Sequence, residues 1–170
     1  MPEELLDTFK HLIEKGVSIK ISTNSLASTD NLMAFSGYHK VREELLDIGV
    51  ELFEYKPNPK NFEVLYQNSS YTKDEPPTFA IHAKSMVIDQ QTAIIGTFNF
   101  DPRSINLNTE VALIIPETNT AMLLRELILD DMATENSWEL TKQSNPDDEV
   151  SFGKKMKLRF FKLLPLKEIL

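Results

Sequence analysis

Leu5, Leu6, Phe9, Leu12 and Ile13 recur at intervals of three and four, the spacing of one helical face. Pro2, Glu3 and Glu4 suit a helix opening, because proline fits the first turn and acids suit the positive end of the dipole. Gly16 is placed to end that helix. Residues 17–22 (VSIKIS) alternate as a short strand, and 23–31 is polar and loop-like. A second helix is predicted over 32–47, stopped by Gly49, and a second strand over 50–55. Residues 56–78, rich in Pro, Asn and Ser, predict a long irregular loop of the kind that often carries function. Strands follow at 79–89 and 92–97 around a Gln90-Gln91 turn. Residues 98–108, with Pro102, read as a site loop, 110–115 as another strand, and 118–135 as an amphipathic helix bearing Leu123, Leu124, Leu127 and Ile128. This order predicts an α/β domain, a mixed β-sheet flanked by helices. It opens on a helix, so the strand that an ordinary α/β layer places before that helix is missing.

Composition narrows this picture. With 170 residues and 41% hydrophobic content, the chain is long enough for one domain with a core, or for a piece of a larger one, and is not a disordered composition. The absence of cysteine excludes disulfides, thiolate metal sites and thiol catalysis. His11, His39 and His82 are too few and too scattered for a histidine-built metal site. The net charge of −8 disfavours a nucleic-acid partner, which calls for a basic face. The charge is also uneven: residues 151–170 hold six Lys or Arg and one Glu, a net of +5, which leaves −13 on residues 1–150. The chain therefore divides into a body (1–138), a polar linker (139–150) and a basic, apolar tail (151–170) with a partner of its own. Cations interleaved with Phe160, Phe161, Leu163, Leu164 and Leu166 suit peripheral contact with an anionic membrane surface; packing on the body or on a sister half is the alternative. Pro165 limits any helix there. No apolar run is long enough to span a bilayer, and the N-terminus lacks a signal pattern.

The chemistry concentrates in residues 81–110, IHAKSMVIDQQTAIIGTFNFDPRSINLNTE. His82-x-Lys84 is followed after four residues by Asp89, and then, six residues on, by Gly96-Thr97-x-Asn99. Residues two apart on a strand share a face, so His82 and Lys84 point the same way; Thr97 and Asn99 do likewise if their strand reaches that far. Asp89 has the opposite parity and reads as a supporting group outside the reacting cluster. These types suit phosphodiester transfer. Lys84 supplies charge and Thr97 and Asn99 neutral donors for phosphate oxygens. A histidine can attack phosphorus or move protons near neutral pH, and Glu110 can orient an imidazole and support its charged form. No metal or other cofactor is called for. Five fixed positions match by chance less often than about one time in a thousand.

The stretch resembles the HKD motif of the phospholipase D superfamily. Asn99, Asp101, Arg103, Ser104, Asn106, Asn108 and Glu110 look like the extension seen in its bacterial cardiolipin synthases. Thr23 to Asp30 (TNSLASTD), Gly37-Tyr38, Arg42 and the run from Gly49 to Tyr55 (GVELFEY) are similar to that branch too, so the resemblance covers most of residues 3–135. Thr97 stands where the family more often has serine, and the hydroxyl is kept. The resemblance implies a phospholipase D-like half-domain over 1–138, one half of a two-fold pseudo-symmetric architecture. In it two motifs build one site: one histidine forms a phosphohistidine and the other serves as general acid, then base. The residue at the position of Glu110 bonds a histidine, while lysines and asparagines hold the phosphate. Catalytic roles thus fall to His82, Lys84, Asp89 and Glu110, with Lys84, Thr97 and Asn99 binding phosphate. By the resemblance a C-terminal motif more often supplies the acid/base, which favours that part for His82, with the nucleophile's part as the alternative.

Neither His11 nor His39 begins a second motif. A site is completed only by a second HKD half, in trans or by homodimerisation. The family's halves place a strand before their first helix, so the chain looks like the C-terminal half of a two-motif enzyme cut inside that half. The implied activity is phosphodiester-bond transfer or hydrolysis on a phospholipid such as phosphatidylglycerol, peripheral to the cytoplasmic face of a bacterial inner membrane. A homodimeric, metal-independent nuclease and an inactive half that only docks are the competing readings. Tyr38 and Arg42, four apart on the second predicted helix, could face a headgroup.

Overall fold

A computed structural model describes residue 1, residues 3–61 and residues 78–163. Most of the long loop expected at 56–78 lies outside these described residues. Helix α1 (Glu3–Glu14) leads through Gly16 to strand β1 (Lys20–Asn24), and helix α2 (Leu32–Asp47) leads through Gly49 to strand β2 (Glu51–Tyr55). Both glycines hold φ near +90°, the left-handed helix exit that a side chain would oppose. β1 and β2 run parallel in register from Lys20↔Glu51 to Asn24↔Tyr55, with α2 as the crossover. A third, antiparallel strand, β6 (Ser137–Glu139), completes this sheet in the order β1-β2-β6.

The motif lies on a second sheet. Strands β3 (Lys84–Ile88), β4 (Thr92–Gly96) and β5 (Ala112–Ile115) form an antiparallel meander, followed by helix α4 (Thr118–Asp131). The fold is the mixed α/β arrangement flanked by helices that the sequence predicts, with its strands shared between two three-stranded sheets. Periodicity assigns strands but not the sheet that each joins. Asp89 and Gln90 both adopt positive φ in the three-residue turn from 89 to 91 that joins β3 to β4, which the Gln91 N–H closes by donating to the Ile88 carbonyl at 3.0 Å.

Three segments differ from expectation. Residues 98–108 contain a short helix, α3 (Pro102–Asn106), with Asp101 as N-cap accepting from the Ser104 N–H at 2.7 Å and Pro102 opening the first turn. Residues 137–139, for which no strand is predicted, form β6, and the ring of Trp138 in it lies 5.6 Å from the Lys56 ammonium. Residues 139–150, read as a linker, pack on the body. Leu140 joins the core cluster of Leu6, Leu45, Val50 and Leu52, and the buried Asp147 lies in a 3-10 turn at Pro146–Glu149. A last helix, α5 (Phe152–Leu163), follows and rests its buried Leu158 on Leu26 and Phe35.

Asp147 explains this closure. Arg42 is buried on α2 and donates to Glu54 Oε1 at 2.9 Å, to both oxygens of Asp147 at 3.3 and 2.9 Å, and to Asn145 Oδ1 at 3.0 Å. Tyr38 donates to the same Glu54 oxygen at 3.0 Å. Tyr38 and Arg42 therefore turn inward, away from any headgroup, because the fully buried Glu54 on β2 demands a counter-charge. Burial raises the Glu54 carboxyl above the usual carboxylate range even against Arg42. Burial also pushes on Asp147, but hydrogen bonds from His39 and Arg42 outweigh it and hold that carboxyl low. Removing one member of such a network costs about 3–5 kcal/mol, because it strands an uncompensated charge.

Candidate active site

An open cleft of about 640 Å³ is lined by His82, Lys84, Gly96, Thr97, Asn99, Asn108 and Glu110. Residues up to 28 apart in sequence meet here because β3 and β4 pair Lys84 with Gly96 and β4 and β5 pair Gly96 with Ala112. The ends of three adjacent strands thus open onto one mouth. β4 stops at Gly96, so Thr97 and Asn99 reach the cleft from the loop beyond it and not by strand parity.

Gly96 is a condition of that geometry. A Cβ at this position would lie 2.3 Å from the Val111 carbonyl oxygen and 2.9 Å from Ala112 Cα, so only glycine lets β5 come this close. The same approach forms two bonds at the cleft: the Thr97 N–H donates to the Val111 carbonyl at 2.9 Å, and the Val111 N–H donates to Thr97 Oγ1 at 3.1 Å. The Thr97 hydroxyl in turn donates to Glu110. A hydroxyl at 97, from serine or threonine alike, serves this bridge.

Glu110 is held from several sides. Hydrogen bonds from Thr97, Ser104 and Asn108 keep its carboxyl below the usual range, with a smaller contribution from the charge of Lys84. Asn108 donates to Oε1 at 3.1 Å and itself accepts from Arg103 Nε at 3.3 Å. Ser104, buried on α3, also receives the Asn99 N–H at 3.3 Å. The α3 turn capped by Asp101 therefore fixes both Asn99 and Glu110 through one hydroxyl. The motif spacing assigns no task to Asp101, Ser104 or Asn108; the local signal for them is the Asp101-Pro102 pair, a helix start.

His82 precedes β3 in an exposed, extended segment. Its anchor is Asn24, at the end of β1 in the other sheet. The Asn24 side chain accepts from the Ile81 N–H at 2.7 Å and donates to the Ile81 carbonyl at 2.9 Å. This pair of bonds takes the place of ladder bonds and accounts for β3 starting at Lys84, later than periodicity suggests. Lys84 Nζ donates to the His82 carbonyl at 3.0 Å. Asp89 is the one candidate that the fold keeps apart. It lies in the hairpin turn at the far end of β3, roughly 16 Å from Lys84 at about 3.3 Å per residue. Among the described residues no three His, Asp or Glu side chains converge as a metal site, and no helix is long and apolar enough to cross a membrane.

Residues 1–132 match the family model described as "Cardiolipin synthase, PLD-like domain". Cardiolipin synthase C of Escherichia coli (strain K12) is 37% identical over 129 residues, covering 76% of this chain and 26% of that protein. A cardiolipin synthase of Staphylococcus aureus (strain Mu50) is 31% identical over 140 residues, 82% of this chain and 23% of the relative. The chain thus spans about a quarter of the length of these relatives. In fold it is similar to the crystal structure of phosphatidylserine synthase from Haemophilus influenzae Rd KW20, with a TM-score of 0.56 at 15% identity, over 100% of this chain and 39% of that one.

Proposed function

The chain belongs to the cardiolipin synthase family of phospholipase D-like domains, and from that premise we propose that it supplies one histidine motif of a two-motif site that transfers a phosphatidyl group. The observation that carries this reading is the cleft that gathers His82, Lys84, Thr97, Asn99 and Glu110. Lys84 and the Asn99 amide suit the phosphate oxygens, where a fixed charge and fixed donors favour the transition state. Thr97 and Asn108 are engaged with Glu110 and keep it ionised to support an imidazolium. Asp89, at the remote turn, serves the hairpin in this proposal and takes no part in the reaction.

The reaction needs two imidazoles. One attacks phosphorus and forms a P–N bond as the P–O bond to the leaving alcohol breaks, and the other gives its proton to that leaving oxygen. The second then takes the proton of the acceptor hydroxyl, whose oxygen forms the new P–O bond as the P–N bond breaks. Phosphatidylglycerol as donor and acceptor makes the product cardiolipin; water as acceptor makes the step hydrolytic. Within a two-motif assembly His82 takes the proton-transfer part.

The surface beside the cleft supports the need for a second half. Among the described residues β5 is an edge strand, and Val111 just before it and Leu113 and Ile114 on it are exposed, as are Leu123 and Leu127 on α4. Exposed apolar side chains along an edge strand and the helix that follows it are suited to an interaction surface. The cleft itself is open, with His82 exposed at its rim. The setting we propose is peripheral, at the cytoplasmic face of a bacterial inner membrane.

Sedimentation equilibrium combined with thin-layer chromatography of labelled phosphatidylglycerol tests the proposal. Transfer should track the assembled species, disappear in His82→Ala with an unchanged circular dichroism spectrum, and leave a phosphohistidine adduct that survives an alkaline quench and is lost in acid. Turnover that survives His82→Ala, or a stable assembly with neither turnover nor adduct, would sink it.

A further inference from the structure

Helix α5 has two apolar faces, and among the described residues only one is packed. Its inner face packs Leu158 on Leu26 and Phe35. That face is also tied by Lys154 Nζ to the carbonyls of Ala27 (3.0 Å) and Thr29 (3.2 Å), and by Lys162 Nζ to His39 Nδ1 (3.1 Å). The opposite side should be polar if it met only water. Instead Phe152, Met156, Phe160 and Leu163, at i, i+4, i+8 and i+11, are 76, 45, 61 and 83% exposed. At about 100° per residue these four fall within an arc of roughly 80°, about opposite the buried face. Lys155 and Arg159 flank the arc on one side and Lys157 on the other. A cavity of about 920 Å³ beside it, lined by Leu32 and Met33 of α2 with Met156, Phe160 and Phe161, continues the apolar surface onto the body; Asp30 stands at its rim.

We propose that this outer face of α5 is a membrane-seating surface whose occupant is an anionic lipid bilayer. Charge complementarity selects that occupant. Of the five cations on α5, which has no acid, Lys155, Lys157 and Arg159 flank the outer arc, Lys155 also reaching Asp148 at 3.6 Å, while Lys154 and Lys162 serve the inner face. A stripe bracketed by cations matches acyl chains below and headgroups on both sides. The packed inner face holds the helix in place before it meets lipid, so contact does not require folding on the surface. The Lys154 bonds also join α5 to the loop at 25–31, which follows directly on Asn24, the β1 residue that anchors the His82 segment. The seated face and the cleft are thereby tied to one loop. The inference goes beyond the transfer chemistry and does not depend on it.

Vesicle sedimentation of the full chain bearing His82→Ala, which removes the chemistry from the readout, tests this surface. Binding to mixed phosphatidylcholine and phosphatidylglycerol vesicles should exceed binding to phosphatidylcholine alone. Met156→Glu/Phe160→Glu should weaken it at least about tenfold, and Lys157→Glu/Arg159→Glu should abolish the preference for the anionic vesicles. Circular dichroism and urea midpoints equal to the parent's establish that the exposed substitutions leave the fold intact. Binding that is absent in the parent, or unchanged in both double variants, overturns the proposal. So does a parent dimer that Met156→Glu/Phe160→Glu splits without altering vesicle binding, since the occupant is then a second copy.

Discussion

Gly96→Ala isolates the close approach on which the cleft depends. The added Cβ meets two backbone atoms, Val111 O at 2.3 Å and Ala112 Cα at 2.9 Å, and neither can rotate aside. A comfortable carbon–oxygen contact is about 3.3–3.6 Å, so β5 must retreat by about 1 Å. That retreat costs about 1–3 kcal/mol as an overpacked contact. It also stretches the Thr97–Val111 bond pair at the mouth of the cleft, each bond worth about 1 kcal/mol. Together the loss is roughly 2–5 kcal/mol, which lowers a urea midpoint by about 1 M or more at an m value near 2 kcal/mol/M. Gly37→Ala is the matched control. Nothing lies within 4 Å of a Cβ there, and the residue sits inside α2, so the same chemical change should stabilise by about 0.4–1 kcal/mol. Because Thr97 and Glu110 move with β5, transfer in the assembled enzyme should fall about a hundredfold, the effect of about 1 Å of misplacement. Urea denaturation followed by circular dichroism reads both variants. If Gly96→Ala unfolds within about 0.5 kcal/mol of the parent, the argument from close approach is wrong.

Other expectations follow from the bonds described. Arg42→Leu leaves Glu54 and Asp147 without their shared cation and should cost about 3–5 kcal/mol in urea unfolding; a loss below about 1 kcal/mol would show the network to be unimportant for stability. Thr97→Val removes the first hydrogen bond that holds Glu110 low, so the carboxyl should titrate closer to its ordinary value by NMR, whereas Thr97→Ser should leave it low. The sign is that of a depressed acid: the contribution of Glu110 is present above its unfolded pKa and is lost as pH falls through the folded one, so Thr97→Val shifts that loss upward in pH. Asn24→Ala frees the segment carrying His82; kcat should fall about tenfold or more with KM little changed, and equal kcat would remove Asn24 from any positioning role.

Much of the site was legible from residue types and spacing. His82-x-Lys84 and Gly96-Thr97-x-Asn99 lie together in one cleft because antiparallel pairing across a three-residue turn brings their strand ends side by side. Asp89 shows the limit of motif membership. Its parity already set it apart, and the turn removes it from the cleft altogether. The tasks of Ser104 and Asn108 depend on donors that converge on Glu110 from different elements, and no local pattern reports such convergence.

The sequence by itself determined the family, the residue types gathered at the cleft, the helices and strands with one apolar face, and the charge contrast between body and tail, because each is written in local spacing or composition. Only the tertiary structure decided how the strands divide between two sheets, that Asn24 in one sheet anchors the His82 segment beside the other, and that residues 139–150 are bound to the body through Arg42 and Asp147. It alone showed that α5 has a packed face and a bare one. Each of these joins residues that periodicity treats separately. Burial of Glu54 and Arg42, 12 residues apart, draws in Asp147, 105 residues from Arg42, because a charge taken out of water must find its partner wherever the chain can bring one.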